Sequence, residues 1–568
     1  MSDSTGAWQR WMAIAAAVCA ILILPVAWDA SQGWIFPDST SYIDMASGAV
    51  RDSPAVLLTN AYWSPAYPAI LAVTMALVRP SPAAELHAFY ILHWLIFLFT
   101  TACFSVLVGT FLQWLRCNSW PELARDGTLC KAILCFGYAF FLLCNMNPTL
   151  WYLTPDMLLE GPVYLAAALA LRLFLPDSSW KHSVALGLVL GVGYLVKAPM
   201  FLVALVLIGI LVLRPPQDRL GRRHAALALT GFCLAAAPLV LSLSHEKHRF
   251  TFGDSGKINY AYHVGDLPKH SGWTGQNPEN GTPAHAPRII GAAPLIMEFR
   301  TPVSGTLPIW YDPSYWWEGL RVPISVQRQW NGLFRPFRQV HSMQTLSLAF
   351  FAALAPLCLL NFRVRNAIRA GGILTWIFIL WPAAAGAMYA LVVFNFRYLA
   401  GYIVVACLGI AALVLRPFQG GTRAKVLFAA GLLLALAGAA RLRPAVQAAF
   451  RHDDTGPLTR EEGRDNGPSS MAAAQGLARL GIRPGDEISV LGHSLDCYYA
   501  RLAGVRIVAQ IWEDPDRIQG LSSPQVRQVL NQLKQIGVKA LVSRAKPGFV
   551  NDEGWIAIPR TDVYVRML

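Results

Sequence analysis

The sequence predicts an α-helical polytopic membrane protein with a long external loop and a small C-terminal α/β soluble domain. Three observations carry that prediction. Of 568 residues, 55% are hydrophobic and only 14% are charged, against about 25% charged in a soluble domain. Long apolar runs alternate with short polar connectors, and runs of about 18 or more apolar residues are long enough to cross roughly 30 Å of hydrocarbon. The connectors between these runs carry the lysines and arginines, which is the pattern that orients membrane spans.

The formal net charge of +14 would suggest nucleic acid in a soluble protein. Here the excess sits in the connectors, so it reads as topology, and no nucleic-acid partner is expected. Cysteines Cys19, Cys103, Cys135, Cys144, Cys233, Cys358 and Cys407 fall in apolar runs. Cys117 and Cys130 share a connector and Cys497 stands alone in the tail, so neither a disulfide framework nor a CxxC metal site is expected.

The first apolar run, 11–28, follows Arg10. It reads as a membrane anchor, with a cleaved signal peptide as the alternative. Further spans fall at 88–114, 132–150, 157–175, 183–197, 199–213, 224–243, 344–360, 371–393, 399–415 and 426–440, about eleven transmembrane helices in all. The short, Pro-bounded run 66–78 reads as an interfacial or re-entrant helix. Connectors 116–131, 214–223, 361–369 and 416–425 are basic and go to the cytoplasm. That places the N-terminus inside and the C-terminus outside. Segments 29–87, 244–343 and 441–568 become external.

The loop 244–343 holds six of the twelve histidines, with Trp273, Trp310, Trp316, Trp317 and Trp330. A loop of this length without strong periodicity is usually functional, and its aromatic content argues against disorder. His245 and His248 flank Glu246 but form no HExxH motif, so they are a weak metal signal. The tail alternates strands and helices. A helix is expected over 469–481, then strands at 486–492 and 505–510, a helix at 524–537 and a strand at 539–543. That is a small α/β layer, without a dinucleotide fingerprint.

Candidate chemistry clusters at the external ends of spans. Pro37, Asp38 and Ser39 open a helix in which Asp38 and Tyr42, four apart, share a face while Asp44 points elsewhere. Asp38 or Ser39 could equally be a plain helix cap. The turn around Pro155 carries Asp156 and, a turn later, Glu160. Asp156 could be an N-cap, and Glu160 a buried structural pair. Lys197 and Arg397, the latter beside Tyr398, stand where the positive-inside bias does not explain cations. They are candidates for holding a phosphate, with snorkelling to headgroups as the alternative.

These segments resemble the GT-C glycosyltransferases, which include the protein O-mannosyltransferases (glycosyltransferase family 39) and the aminoarabinose transferases of lipid A. The resemblance rests on Asp38-Ser39 with Tyr42, on Pro155-Asp156, on Gly193-Tyr194-Leu195-Val196-Lys197 and on Arg397-Tyr398, and it covers residues 1–440 as architecture. It implies a GT-C-type transmembrane catalytic domain over 1–440 and an external α/β domain over 441–568. It also implies a polyprenyl-phosphate-sugar donor, a lipid, glycan or protein acceptor, and a bacterial inner-membrane location with a periplasmic C-terminus. On that analogy Asp38 is the catalytic base, and Asp156 is the second catalytic residue, binding sugar hydroxyls or helping to hold a metal. Lys197, Arg397, Tyr42 and Tyr398 bind donor phosphate, with Glu160 and Ser39 supporting. A divalent metal ion is the one cofactor implied, with Asp38 and Asp156 its ligands. Mannosyltransferases of this type carry a second acid where this chain has Ser39, which argues against mannosyl transfer to protein. Inverting glycosyl transfer is the reading. A secondary transporter, a different lipid-linked ligase or phosphotransferase, and a non-catalytic assembly component are its rivals.

Overall fold

The structure is a computed structural model. It describes residues 3–33, 35–146, 149–267, 273–275, 277–300, 303–338, 372–450, 467–512, 523–544 and 554–568. Helices α1 (Asp3–Ser31), α4 (Glu85–Asn118), α5 (Gly127–Asn145) and α9 (Arg223–Glu246) are joined by the helices Ile373–Val392, Phe396–Leu415 and Gly420–Phe450. These hold the seven stretches long and apolar enough to cross a membrane among the described residues. The chain is an integral membrane protein.

Three further bundle helices are shorter: α6 (Asp156–Arg172), α7 (Trp180–Val196) and α8 (Met200–Leu213). At 1.5 Å per residue the 14 residues of α8 span about 21 Å. That falls short of the roughly 30 Å hydrocarbon layer. Each of these helices falls within or overlaps a predicted span. The span expected at 344–360 and the whole of the connector 361–369 lie outside the described residues.

Several boundaries differ from expectation, the first helix beginning at Asp3 and α5 ending at Asn145. The span expected over 132–150 starts five residues earlier, because the Asp126 side chain accepts from the backbone N–H groups of Thr128 (2.9 Å) and Leu129 (3.1 Å). It thereby caps a helix that hydropathy alone places later. The helix expected to end near 440 runs on to Phe450. Residues 66–78 are helical as expected and form α3 (Ala66–Val78), which packs on α2 (Pro37–Arg51).

Two of the connectors expected on one face meet. Arg423 bonds Glu122, tying 416–425 to 116–131. Asp218 accepts from Ser178 at 3.1 Å and lies 2.7 Å from His224. At the opposite face α2 and α10 (Ser255–His263) lie under the aromatic loop, where Trp273, Trp310, Trp316 and Trp317 are buried. Helices α7 and α9 cross unusually closely. A Cβ on Gly187 would stand 2.0 Å from the Ala228 carbonyl oxygen, one on Gly191 2.4 Å from the Ala235 Cβ, and one on Gly231 2.6 Å from the Val184 carbonyl oxygen.

The loop 244–343 is not without periodic structure. It supplies β1 (Arg288–Ala292) and β2 (Leu295–Glu298), a hairpin whose second strand pairs antiparallel with β4 (Arg506–Ile511). Strand β3 (Glu487–Leu491) runs parallel to β4 and to β5 (Ala540–Ser543). With β6 (Trp555–Ala557) and β7 (Tyr564–Met567) they form one seven-stranded sheet, ordered β1-β2-β4-β3-β5-β7-β6. The hairpin, with strands of five and four residues joined by two, was not foreseen. Ile296 completes a small core with Leu491, Ile511, Leu533 and Leu541.

Candidate active site

Four separate segments deliver the site to one face. Phe36 is extended and Pro37 occupies the first helical position of α2, where its missing N–H costs nothing. Asp38 therefore sits in the first turn. At α6 the cap position is Pro155, and Asp156 is the first helical residue. Neither acid caps its helix through its side chain, so the capping alternatives do not account for them. Lys197 is the extended residue between α7 and α8. The Asn395 side chain accepts from the backbone N–H of Arg397 at 3.2 Å and starts the helix there.

These side chains converge. Arg397 Nη2 donates to Asp38 Oδ2 at 3.1 Å and to the Tyr398 hydroxyl at 3.2 Å. Its Nε lies 3.3 Å from Asp156 Oδ2. Lys197 Nζ bonds Asp156 Oδ1 and lies 3.6 Å from the centre of the Tyr398 ring. Thr154 donates its hydroxyl to Asp156 Oδ2 at 2.9 Å. The Arg397 guanidinium also stands 4.9 Å from the Tyr152 ring and 5.0 Å from that of Phe36, close enough for cation–π attraction. Thr154, Tyr152 and Phe36 were not foreseen. Their signal was only their adjacency to Asp156 and Asp38.

The two acids are held differently. Both Asp156 oxygens face donors or cations, and its side chain is 1% exposed. Asp38 is engaged only at Oδ2; among the described residues no hydrogen bond reaches its Oδ1, and 17% of its side chain is exposed. Burial pushes the Asp38 carboxyl above its ordinary value, Arg397 pulls it back and Asp156 pushes it further up. Arg397 Nη1 is buried and makes no hydrogen bond among the described residues. A buried donor of this kind is costly to leave unmade, so Nη1 is available to another oxygen.

Tyr42 lies beneath Asp38 on the same helical face, edge-on to Trp63 (4.9 Å) and Tyr67 (5.5 Å). Burial holds its phenol well above the ordinary value, so it stays neutral. Two expected residues stand apart. Glu160 accepts from Tyr164 (2.6 Å) and Asn145 (3.1 Å) in the bundle interior, against Gly401. Ser39 is buried and its hydroxyl has no hydrogen-bond partner among the described residues. Asp44 points away from Asp38, as expected from the helical period, toward Thr306 and Arg501.

No family model matches the chain, and no curated protein does. Among solved structures it is similar to ArnT from Cupriavidus metallidurans bound to undecaprenyl phosphate, at 15% identity over 98% of both chains and a TM-score of 0.42. It is similar to the Archaeoglobus fulgidus oligosaccharyltransferase in its apo form, at 11% identity over 94% of this chain and 69% of that one, with a TM-score of 0.47. The same archaeal protein, AglB, with an inhibitory peptide and a dolichol-phosphate, matches at 10% identity over 96% and 70%, with a TM-score of 0.43. Both proteins are members of the GT-C superfamily. At these identities and TM-scores the site has to be argued from this chain's own residues.

A divalent ion, were one bound here, would use Asp38 and Asp156. Among the described residues no group of three or more His, Cys, Asp or Glu side chains gathers. The oxygens of Asp156 already face Lys197, Arg397 and Thr154. As arranged, the donor set suits an anion held by the cations better than a second cation among them.

Proposed function

We propose that this protein is an inverting glycosyltransferase. It moves a sugar from a polyprenyl-phosphate donor to a hydroxyl-bearing lipid, glycan or protein acceptor on the external face of the membrane. The observation that carries the reading is Arg397, which bridges Asp38 and Asp156, the latter also bound by Lys197, and keeps a buried Nη1 with no hydrogen bond among the described residues. Two fixed cations and a partly free carboxylate brought together in one cluster are what transfer from a lipid phosphate requires.

The chemistry follows from the geometry. An acceptor hydroxyl hydrogen-bonded to Asp38 Oδ1 loses its proton to that oxygen as it attacks the anomeric carbon. The new glycosidic C–O bond forms while the bond from that carbon to the phosphate oxygen breaks. Charge grows on the departing lipid phosphate, where Arg397 Nη1 and Lys197 Nζ stabilise it. A single displacement inverts the anomeric centre. Asp156 is the anchor that aims both cations, and Tyr42, Tyr152 and Tyr398 wall the pocket and exclude water. With the basic connectors in the cytoplasm, the pocket faces outward and the sheet lies outside; a bacterial inner membrane suits this layout.

The test is purified protein in nanodiscs given a panel of polyprenyl-phosphate sugars, with mass spectrometry following donor loss and lipid-phosphate release. Wild type and Asp38→Asn are run in parallel, with and without a chelator. Consumption of one donor by wild type alone is expected. Folded protein that consumes none of them, in the presence of crude acceptor lipid, sinks the reading and turns attention to transport, measured as isotope uptake into proteoliposomes. Loss of turnover on chelation would return a metal to Asp38 and Asp156.

A further inference from the structure

The helix that carries Asp38 is gripped from the far side by the sheet domain, and the grip is built around one arginine. Arg501, in the short helix Tyr498–Ala503, lies more than 450 residues along the chain from α2. Its Nη1 donates to Asp44 Oδ1 at 2.7 Å and its Nη2 to the Ser47 hydroxyl at 2.9 Å. The same guanidinium meets Glu85, at the start of α4, through Nε (3.0 Å) and Nη2 (2.8 Å). The aromatic loop adds Thr306, whose backbone N–H donates to Asp44 Oδ2 at 2.6 Å and whose hydroxyl donates to Oδ1 at 3.1 Å. Tyr498 donates to Glu85 at 3.2 Å. The Arg501, Asp44 and Glu85 side chains are 13%, 7% and 13% exposed.

The chemistry of this cluster is not that of a ligand pocket, since the acceptors of Asp44 and Glu85 are taken up by protein donors. Its consequence lies in where α2 is held. Asp38 and Asp44 are six residues apart, about 9 Å along the helix axis. The front of α2 presents a base to Arg397, and the back is fixed by Arg501. Buried, multiply bonded arginine forks hold geometry more rigidly than a point charge could. We infer that Arg501 is a positioning residue for Asp38, through which the C-terminal α/β region and the loop set the register of the catalytic helix. The kinetic arm of this inference rests on the transferase reading; the structural arm does not.

The experiment compares full-length wild type, Arg501→Met, Arg501→Lys and Asp44→Asn in nanodiscs, each checked for monodispersity and for an unchanged helical circular dichroism spectrum. Hydrogen exchange is read over 37–51 and over 396–415. The expected result is faster exchange over 37–51 in Arg501→Met and Asp44→Asn, an intermediate rate in Arg501→Lys, and no change over 396–415. With the donor that wild type consumes, kcat should fall in Arg501→Met by about 10²-fold, the scale of a 1 Å misplacement, with KM for the donor unchanged and Arg501→Lys restoring part of the loss. Unchanged exchange over 37–51 in the folded variants overturns the proposal. So does loosened exchange with unaltered kcat, which leaves Arg501 a purely structural tie. If wild type consumes no donor, the transferase reading falls by itself, and exchange over 37–51 still decides whether Arg501 sets α2.

Discussion

Asp38 and Asp156 stand on the same cation, yet the structure gives them different freedom. Asp156 is saturated by Lys197, Arg397 and Thr154, while Asp38 keeps Oδ1 available. In the proposed reaction only Asp38 can take a proton, and only when ionised. Its carboxyl is raised by burial, so kcat/KM should fall as pH drops through a value above the usual carboxylate pKa of about 4. A pH–rate profile checks this: the acid limb belongs to wild type and should be absent from the residual activity of Asp38→Asn. That residual should lie about 10²–10⁴-fold below wild type, the ordinary contribution of a general base. Arg397 offers a second check. Lysine keeps the charge but cannot bridge Asp38, Asp156 and Tyr398 at once. Arg397→Lys should therefore lower kcat/KM by about 10²–10³-fold, measured on the donor that wild type consumes.

At the scale of elements, two of the short helices deliver the site from their ends: Asp156 opens α6 and Lys197 closes α7. Helix α7 is held in place by close contact with α9. Gly187 and Gly191, four apart, let the two backbones approach, which is how helices associate in lipid where apolar surface gives no drive. A Cβ at Gly187 would meet backbone, not a yielding side chain. Gly187→Val should then cost about 1–3 kcal/mol by overpacking. This would be read as a lower midpoint in detergent thermal denaturation, with Gly209→Ala, which meets open space, unaffected on the same count. The hydrophobic period finds these helices. It does not show which glycines touch, because that depends on a partner distant in sequence.

For the whole molecule, the alternation of spans puts the basic connectors on one face and the candidate site, aromatic loop and sheet on the other. A reporter that is active only outside the cytoplasm, fused after Leu568, should be active. The same reporter fused within 214–222 should be silent. The opposite pattern would invert the topology and place the site in the cytoplasm. The sheet makes a second statement at this scale. Strands β1 and β2, at one end of the sheet, come from the loop and the other five from the tail, so loop and tail form one folded unit and neither should be stable when expressed alone.

The division between sequence and tertiary structure follows from range. The helical spans within the described residues, connector charge and the helix starts at Pro37 and Asp156 are local properties, set by hydrophobic runs and turn chemistry within a few residues, and they were legible. So was the pairing of Asp38 with Tyr42 on one face, since it needs only the helical period. What the sequence could state about Asp38, Asp156, Lys197 and Arg397 was that they share a membrane face. That Arg397 joins the two acids 359 residues and 241 residues apart from it was decided by packing. The same holds for Glu160, which turns into the bundle toward Tyr164, and for Arg501, whose partners lie in α2 and α4. No local pattern records such contacts, because the energy that fixes them comes from burying groups that only the completed bundle brings together.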